Sequence, residues 1–172
     1  MDIQKTLKIA ISNHNKGHLK EAGKLYRDIL KVAKKHPIAL TLLAKISLSN
    51  GRYEEVKKAL SIILKNYPGY MKAQILAGEY YSQIDQPYIA SDSYKRAILL
   101  SPNQAEPMIA LGNLNQRRAE PDETILDMVL RRYRQASIVE PTSIPALNNL
   151  AAIYLKLKHP AKALETLDLV FR

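Results

Sequence analysis

Two series of residues recur through this chain with one common period, and that period limits the fold more than any other feature. Small residues stand at Ala10, Ala44, Gly78, Gly112 and Ala151, at intervals of 34, 34, 34 and 39. A second series runs Ala22, Val56, Ala90, Val129 and Ala163, at intervals of 34, 34, 39 and 34. A bulky residue follows each member of the second series by four: Tyr26, Leu60, Tyr94, Tyr133 and Leu167. The two series are 12 apart in every unit except the fourth, where the gap is 17. Self-similarity at such a period is the signature of a stacked-repeat architecture, in which each unit packs on its neighbours.

Each unit reads as two short helices. In the first, Ile3, Leu7 and Ala10 share one helical face, and Ala22, Tyr26, Ile29 and Ala33 share another. Asn13-His14-Asn15-Lys16-Gly17 supplies the turn, with Gly17 free to take the left-handed geometry that ends a helix. The later turns are Ser49-Asn50-Gly51, Ile84-Asp85-Gln86-Pro87, Ala119-Glu120-Pro121-Asp122 and Lys158-His159-Pro160. Pro87, Pro121 and Pro160 sit where a helix begins and its first N–H has no partner in any case. Pro68, Pro102 and Pro141 stop the second helix of their units. The recurring Ala and Gly positions let two helices cross closely, and the Tyr or Leu one turn later fills the space between hairpins.

On these residues the chain resembles the tetratricopeptide repeat family. The resemblance is carried by Gln74-x-x-Ala77-Gly78-x-x-Tyr81 with Ala90, Tyr94 and Pro102, and by Leu147-x-x-Leu150-Ala151-x-x-Tyr154 with Ala163. Met108-x-x-Leu111-Gly112, followed by Val129, Tyr133 and Pro141, is a looser copy. It implies an all-α, right-handed α-solenoid of five helix-turn-helix hairpins forming one domain over residues 1–172. The repeats fall at 3–36, 37–70, 71–104, 105–143 with a five-residue insertion, and 144–172. Unit four carries its five extra residues around Ala119–Glu123, which lengthens its helices or the turn between them. The fifth unit stops at Arg172 with no solvating helix to follow, so Leu167, Val170 and Phe171 lack cover. A terminal repeat normally presents a polar outer face. The expectation is a segment cut from a longer protein, or an end that docks on something, including a second copy of its own C-terminal helix.

Composition removes several function classes. The 172 residues include no cysteine, which excludes disulfide frameworks, thiol catalysis and Cys-ligated metal centres. The start Met1-Asp2-Ile3-Gln4-Lys5 has no basic region leading into an apolar stretch, unlike a secretory signal. Charged or polar residues interrupt every apolar run well short of the ~20 residues that span a bilayer. The chain reads as soluble and cytoplasmic. No catalytic constellation, metal site or cofactor motif is present, and no enzymatic activity is expected. His14 and His18 are four apart, but Gly17 and the flanking asparagines place them in a turn. His36 and His159 precede prolines at helix boundaries and read as cap or loop residues. The six glycines are isolated, so no phosphate-cradling loop exists. Glu120, Asp122 and Glu123 read as negative charge at a helix start.

Two surfaces remain as candidates. The resemblance implies a concave groove lined by the first helix of each unit. Aligning the units places Leu7 and Ile11 there in unit one, Leu42 and Lys45 in unit two, and Glu79 in unit three. Asn113, Gln116 and Arg117 follow in unit four, and Asn148 and Asn149 in unit five. Family members that clamp a chaperone's C-terminal carboxylate use lysine and asparagine where Leu7, Ile11 and Leu42 stand, so that function is not expected here. Asn113, Asn148 and Asn149 instead look like part of an asparagine ladder, whose amides can pair with a peptide's N–H and C=O without reading its sequence.

The second surface is electrostatic. Residues 1–70 hold 14 Lys+Arg and 5 Asp+Glu, net +9, and residues 71–172 hold 12 and 11, net +1. Lys20, Lys24, Arg27, Lys31, Lys34 and Lys35 recur along one face of the second helix of unit one. That face suits an acidic protein or a peripheral anionic membrane. Nucleic acid is the weakest of the three partners, because no aromatics interleave with the lysines as stacking platforms. The expected function is a non-catalytic protein–protein interaction scaffold that holds a peptide or helix of a partner in its groove. Two alternatives stand beside it. One is the leading, recruiting module of a larger enzyme, since bacterial glycosyl- and sulfotransferases resemble this layout. The other is docking to an anionic surface through the basic repeats.

Overall fold

A computed structural model describes residues 2–117 and 122–170. Among them are ten helices and no strand, in the order α1 (Ile3–Asn15), α2 (Leu19–Val32), α3 (Pro37–Ser49), α4 (Tyr53–Asn66), α5 (Met71–Gln83), α6 (Pro87–Leu100), α7 (Ala105–Gln116), α8 (Glu123–Val139), α9 (Ile144–Lys156) and α10 (Pro160–Asp168). Several starts have a local cause. Asp2 Oδ1 accepts from Lys5 N at 3.0 Å, His36 Nδ1 from Ala39 N at 3.3 Å, and Asp122 Oδ1 from Ile125 N at 2.8 Å. Pro87 and Pro160 open α6 and α10, as their spacing predicts. His159 stands at the N-cap of α10.

The turns inside the hairpins are built alike. Gly17 (φ 80°), Gly51 (φ 69°), Asp85 (φ 56°) and Lys158 (φ 61°) occupy one position of the repeat, and all are left-handed. The next N–H in each closes the same bond to the carbonyl five residues back: His18 to Asn13 (2.9 Å), Arg52 to Ser47 (2.9 Å), Gln86 to Tyr81 (2.8 Å) and His159 to Tyr154 (2.8 Å). At Gly17, Gly51 and Lys158 the residue's own N–H adds a second bond three residues back (3.0 Å each), the double-bonded C-terminal cap that satisfies carbonyls a helix leaves over. The fourth turn, with Ala119, Glu120 and Pro121, lies outside the described residues. Of the insertion, three residues enter α8, which has 17 residues against 14 in α2, α4 and α6.

The chain divides into two compact units, Met1–Tyr80 and Tyr81–Arg172. In the first, Leu7, Ala10, Ala22, Tyr26, Ile29, Ala39 and Ile46 form a buried cluster. Val56, Leu60 and Ile63 of α4 are buried as well. In the second, Val129, Tyr133, Leu150, Ala151, Ile153, Tyr154 and Ala163 form one cluster, and Ala105, Met108, Ala136 and Ala146 another. Fully burying a side chain such as Ile29 or Ile153 contributes about 1.5–3 kcal/mol. The small-residue series earns its place at Gly112, where an added Cβ would meet Tyr133 Cε1 at 2.5 Å. At the far end the expectation that Leu167 lacks cover is corrected, since it is half-buried and packs against the Val129–Tyr133–Ala163 cluster. Leu164 and Leu169 are more than half exposed, and Phe171 lies outside the described residues.

Candidate functional site

In the second unit the residues expected on the first-helix face converge. Tyr133, fully buried on α8, donates its hydroxyl to Asn113 Oδ1 on α7 at 2.6 Å and lies 3.4 Å from Gln116 Oε1. Asn149 Nδ2 on α9 donates to the same Asn113 oxygen at 3.1 Å. Asn113 Oδ1 therefore accepts twice, and the three amides are half-buried. What remains for a ligand includes the Asn113 amino group, which donates, and the Asn149 side-chain oxygen, which accepts. Those are the two groups a peptide backbone asks for. Arg117 and Asn148 are exposed. Nearby, Arg134 Nε donates to Tyr154 OH at 2.9 Å, which ties α8 to α9.

The first compact unit, Met1–Tyr80, is different. Lys45 Nζ meets Glu79 Oε1 at 3.1 Å, so the two charges expected in the groove answer each other. An exposed pair of this kind contributes about 0–1 kcal/mol. Leu7 is buried in the core, which corrects the expectation that it faces a ligand: its position turns toward Ala22 and Tyr26 of α2. The equivalent Thr41 and Ile75 are buried too. Ile11 and Leu42 are half-buried and pack against that same core. His14 is also corrected, because it belongs to the last turn of α1 rather than to the loop. Its Nδ1 lies 3.4 Å from the Tyr26 hydroxyl. Burial, and secondarily the charge of Lys45, hold His14 below the usual 6.5. Burial also pushes the Tyr26 and Tyr133 phenols up to about 12.

Sequence reasoning treated the tyrosines as space-fillers and missed their polar ends. The signal was available within the repeat. Tyr26, Tyr94 and Tyr133 stand opposite His14, Ser82 and Gln116 in the repeat register, whereas Leu60 and Leu167 stand opposite Leu48 and Leu155. Where the second helix brings a hydroxyl, the first helix brings a polar side chain. Where it brings leucine, the first helix brings leucine.

On the basic side, Lys20, Lys24, Arg27 and Lys31 are exposed along α2. Lys34 and Lys35 lie beyond its end, in the turn before α3, because the helix closes at the Ala33 cap. Lys31 pairs with Asp28 at 2.7 Å. Among the described residues no cluster of His, Cys, Asp or Glu could hold a metal ion. No helix there is long and apolar enough to cross a membrane.

Paired helices, a 34-residue step lengthened once to 39, and a left-handed turn residue at one position define an all-α helical-repeat solenoid with the tetratricopeptide-repeat fold. No family model matches the sequence, and no curated protein does. Solved structures do match it. The tetratricopeptide-repeat protein TTC0263 of Thermus thermophilus is 20% identical, with 98% of this chain and 89% of that one covered at a TM-score of 0.83. MamA from Desulfovibrio magneticus RS-1 is 18% identical, covering 98% and 93% at 0.67. YrrB, a tetratricopeptide-repeat protein with an unusual peptide-binding site, is 20% identical, covering 96% and 82% at 0.59. At these identities the likeness speaks for the fold alone.

Proposed function

We propose that this protein is a non-catalytic interaction scaffold that holds an extended peptide segment of a partner protein on the first-helix face of its second unit. The observation that supports this reading most is the Tyr133–Asn113–Asn149 chain of hydrogen bonds. A buried phenol fixes one amide, that amide fixes a second, and the pair keeps both donors and an acceptor for a ligand. Preorganised amides lose little freedom on binding, so more of each new hydrogen bond appears as affinity. The exposed Arg117 and Asn148 would then read the ligand's flanking side chains. The peptide-binding site of YrrB is consistent with this use of the fold.

The test is a selection of random peptides on the intact protein, followed by fluorescence polarisation with the winners. Asn113→Ala should weaken binding about tenfold or more, as expected for loss of a preorganised hydrogen-bonding centre. Tyr133→Phe should weaken it less, because the ring stays and only the anchor of the amide is lost. Selected peptides that bind the Asn113→Ala and Asn149→Ala variants as tightly as the parent would overturn the proposal.

A further inference from the structure

A cleft of about 600 Å³ opens in the first unit between the turn that starts α2 and the turn that starts α4. Its floor is Gly23 and Ile46, both buried, and its rim carries Lys20, Glu21, Arg27 and Arg52, all exposed. The lining thus holds three cations and one carboxylate. Arg52 touches Glu55 at 3.2 Å in an exposed pair. Among the described residues neither Lys20 nor Arg27 has a hydrogen bond or ion pair. The start of α2 at this rim has no side-chain cap, which adds its partial positive charge to the cleft.

Gly23 is what makes this a cavity. It lies inside α2, where glycine costs about 0.5–1 kcal/mol relative to alanine. Neither backbone nor packing requires it. Its φ is not left-handed, and an added Cβ would sit 3.9 Å from Arg27 Nη1, Arg27 Nη2 and Ile46 Cδ1, an ordinary contact distance. The glycine therefore keeps open the space beneath the Arg27 guanidinium. One repeat further on, the equivalents of Lys20, Gly23 and Arg27 are Glu54, Lys57 and Ser61. The smaller cleft there, about 480 Å³, is lined by these three among others. A carboxylate replaces the first cation, a lysine replaces the glycine, and a hydroxyl replaces the guanidinium. The basic cleft is a property of the first hairpin junction and not of the repeat.

We propose that this cleft binds a phosphoserine or phosphothreonine side chain of a partner peptide. A phosphomonoester carries about −1.5 to −2 charges near pH 7, which Lys20 and Arg27, the two cations of the lining with no partner among the described residues, can both answer. Arg27 offers the planar fork that suits phosphate oxygens, Lys20 a point charge, and Arg52 closes from the opposite rim. The exposed rim and the apolar Ile46 floor suit a side chain delivered by a passing chain rather than an enclosed small molecule. This inference does not rest on the amide site of the second unit and survives its failure.

The experiment uses a fluorescein-labelled Ala-Ala-phosphoserine-Ala-Ala peptide, its serine and glutamate counterparts, and inorganic phosphate. Each is titrated into the whole protein by fluorescence polarisation or competition, with ¹⁵N amide shifts recorded in parallel. The phosphopeptide should bind saturably and at least tenfold more tightly than the other three probes. Amide shifts should centre on Lys20, Gly23 and Arg52. Arg27→Gln should weaken binding about tenfold, Gly23→Leu should remove it, and Lys58→Gln should change it less than twofold. Circular dichroism verifies that each variant is folded, and Arg27→Gln, at an exposed position, keeps the test decisive if Gly23→Leu is not. Equal binding of the serine peptide, shifts spread over Lys57, Lys58 and Lys65, or Arg27→Gln binding like the parent would overturn the proposal. Inorganic phosphate binding as tightly as the phosphopeptide would overturn its peptide part.

Discussion

Gly112 and Tyr133 form a matched pair in which one residue is absent so that the other can be present. The phenol ring is fully buried and its hydroxyl is held by Asn113, so the ring has little freedom to retreat from a new methyl group at 2.5 Å. Gly112→Ala should therefore destabilise the protein by about 1–3 kcal/mol, measured by urea unfolding. Adding Tyr133→Leu should recover part of that loss. The same burial makes a pH prediction. Tyr26 and Tyr133 keep their protons up to about 12 in the folded state, while an unfolded tyrosine loses its proton near 10. The folded state holds more protons in that window, so its stability is full below pH 10 and falls as pH rises toward 12. Unfolding free energies at pH 9, 10.5 and 11.5 would show the decline, and tyrosinate absorbance would show the two phenols titrating late. His14 behaves in the opposite sense: with its folded value lowered, its contribution is present above 6.5 and is lost as pH falls from there through the lower folded value.

Helices are the level at which the sequence was most readable. Two residue series in register gave the hairpins, and glycine or proline punctuation gave their ends within a residue or two. The 17-residue gap between Gly112 and Val129 located the insertion, although the sequence could not divide it between helix and turn. Asp122 settles part of that division by capping α8 three residues earlier than its counterparts begin. Asp122→Ala should cost about 1 kcal/mol, seen as a lower urea midpoint. Facing was harder to read. The position of Leu7, Thr41 and Ile75 lies at the border between groove and core, where 3.6-residue periodicity cannot say which neighbour a side chain meets. At the turns, Asp85 and Lys158 adopt the conformation that Gly17 and Gly51 adopt at no steric cost. Lys158→Gly should stabilise by about 0.5–1 kcal/mol, and Gly51→Val should cost about 1–2 kcal/mol, both from chemical denaturation.

At the scale of the molecule the two units differ in charge more than in fold. With +9 gathered in residues 1–70, the first unit works against its own repulsion, and salt should relieve it. Raising ionic strength from 0.02 to 0.5 M should slow amide exchange in α2 and α4 by about two- to fivefold. Exchange in α8 and α9 should change less. Hydrogen exchange by mass spectrometry reads both units in one experiment. The pairing of tyrosine with a polar residue, and of leucine with leucine, has a consequence for assembly. A chain of near-copies is exposed during folding to a hazard that unrelated helices avoid, since any first helix resembles a proper mate for any second helix. Were α1 to close against α4, His14 would face Leu60, and Leu48 would be left to face the Tyr26 hydroxyl. Each such mismatch buries a polar group without its hydrogen bond, at about 1–3 kcal/mol. The chemistry of that one position thus disfavours exchange of helices between the first hairpin and the second, whereas the hairpins that share a tyrosine there are not told apart by it.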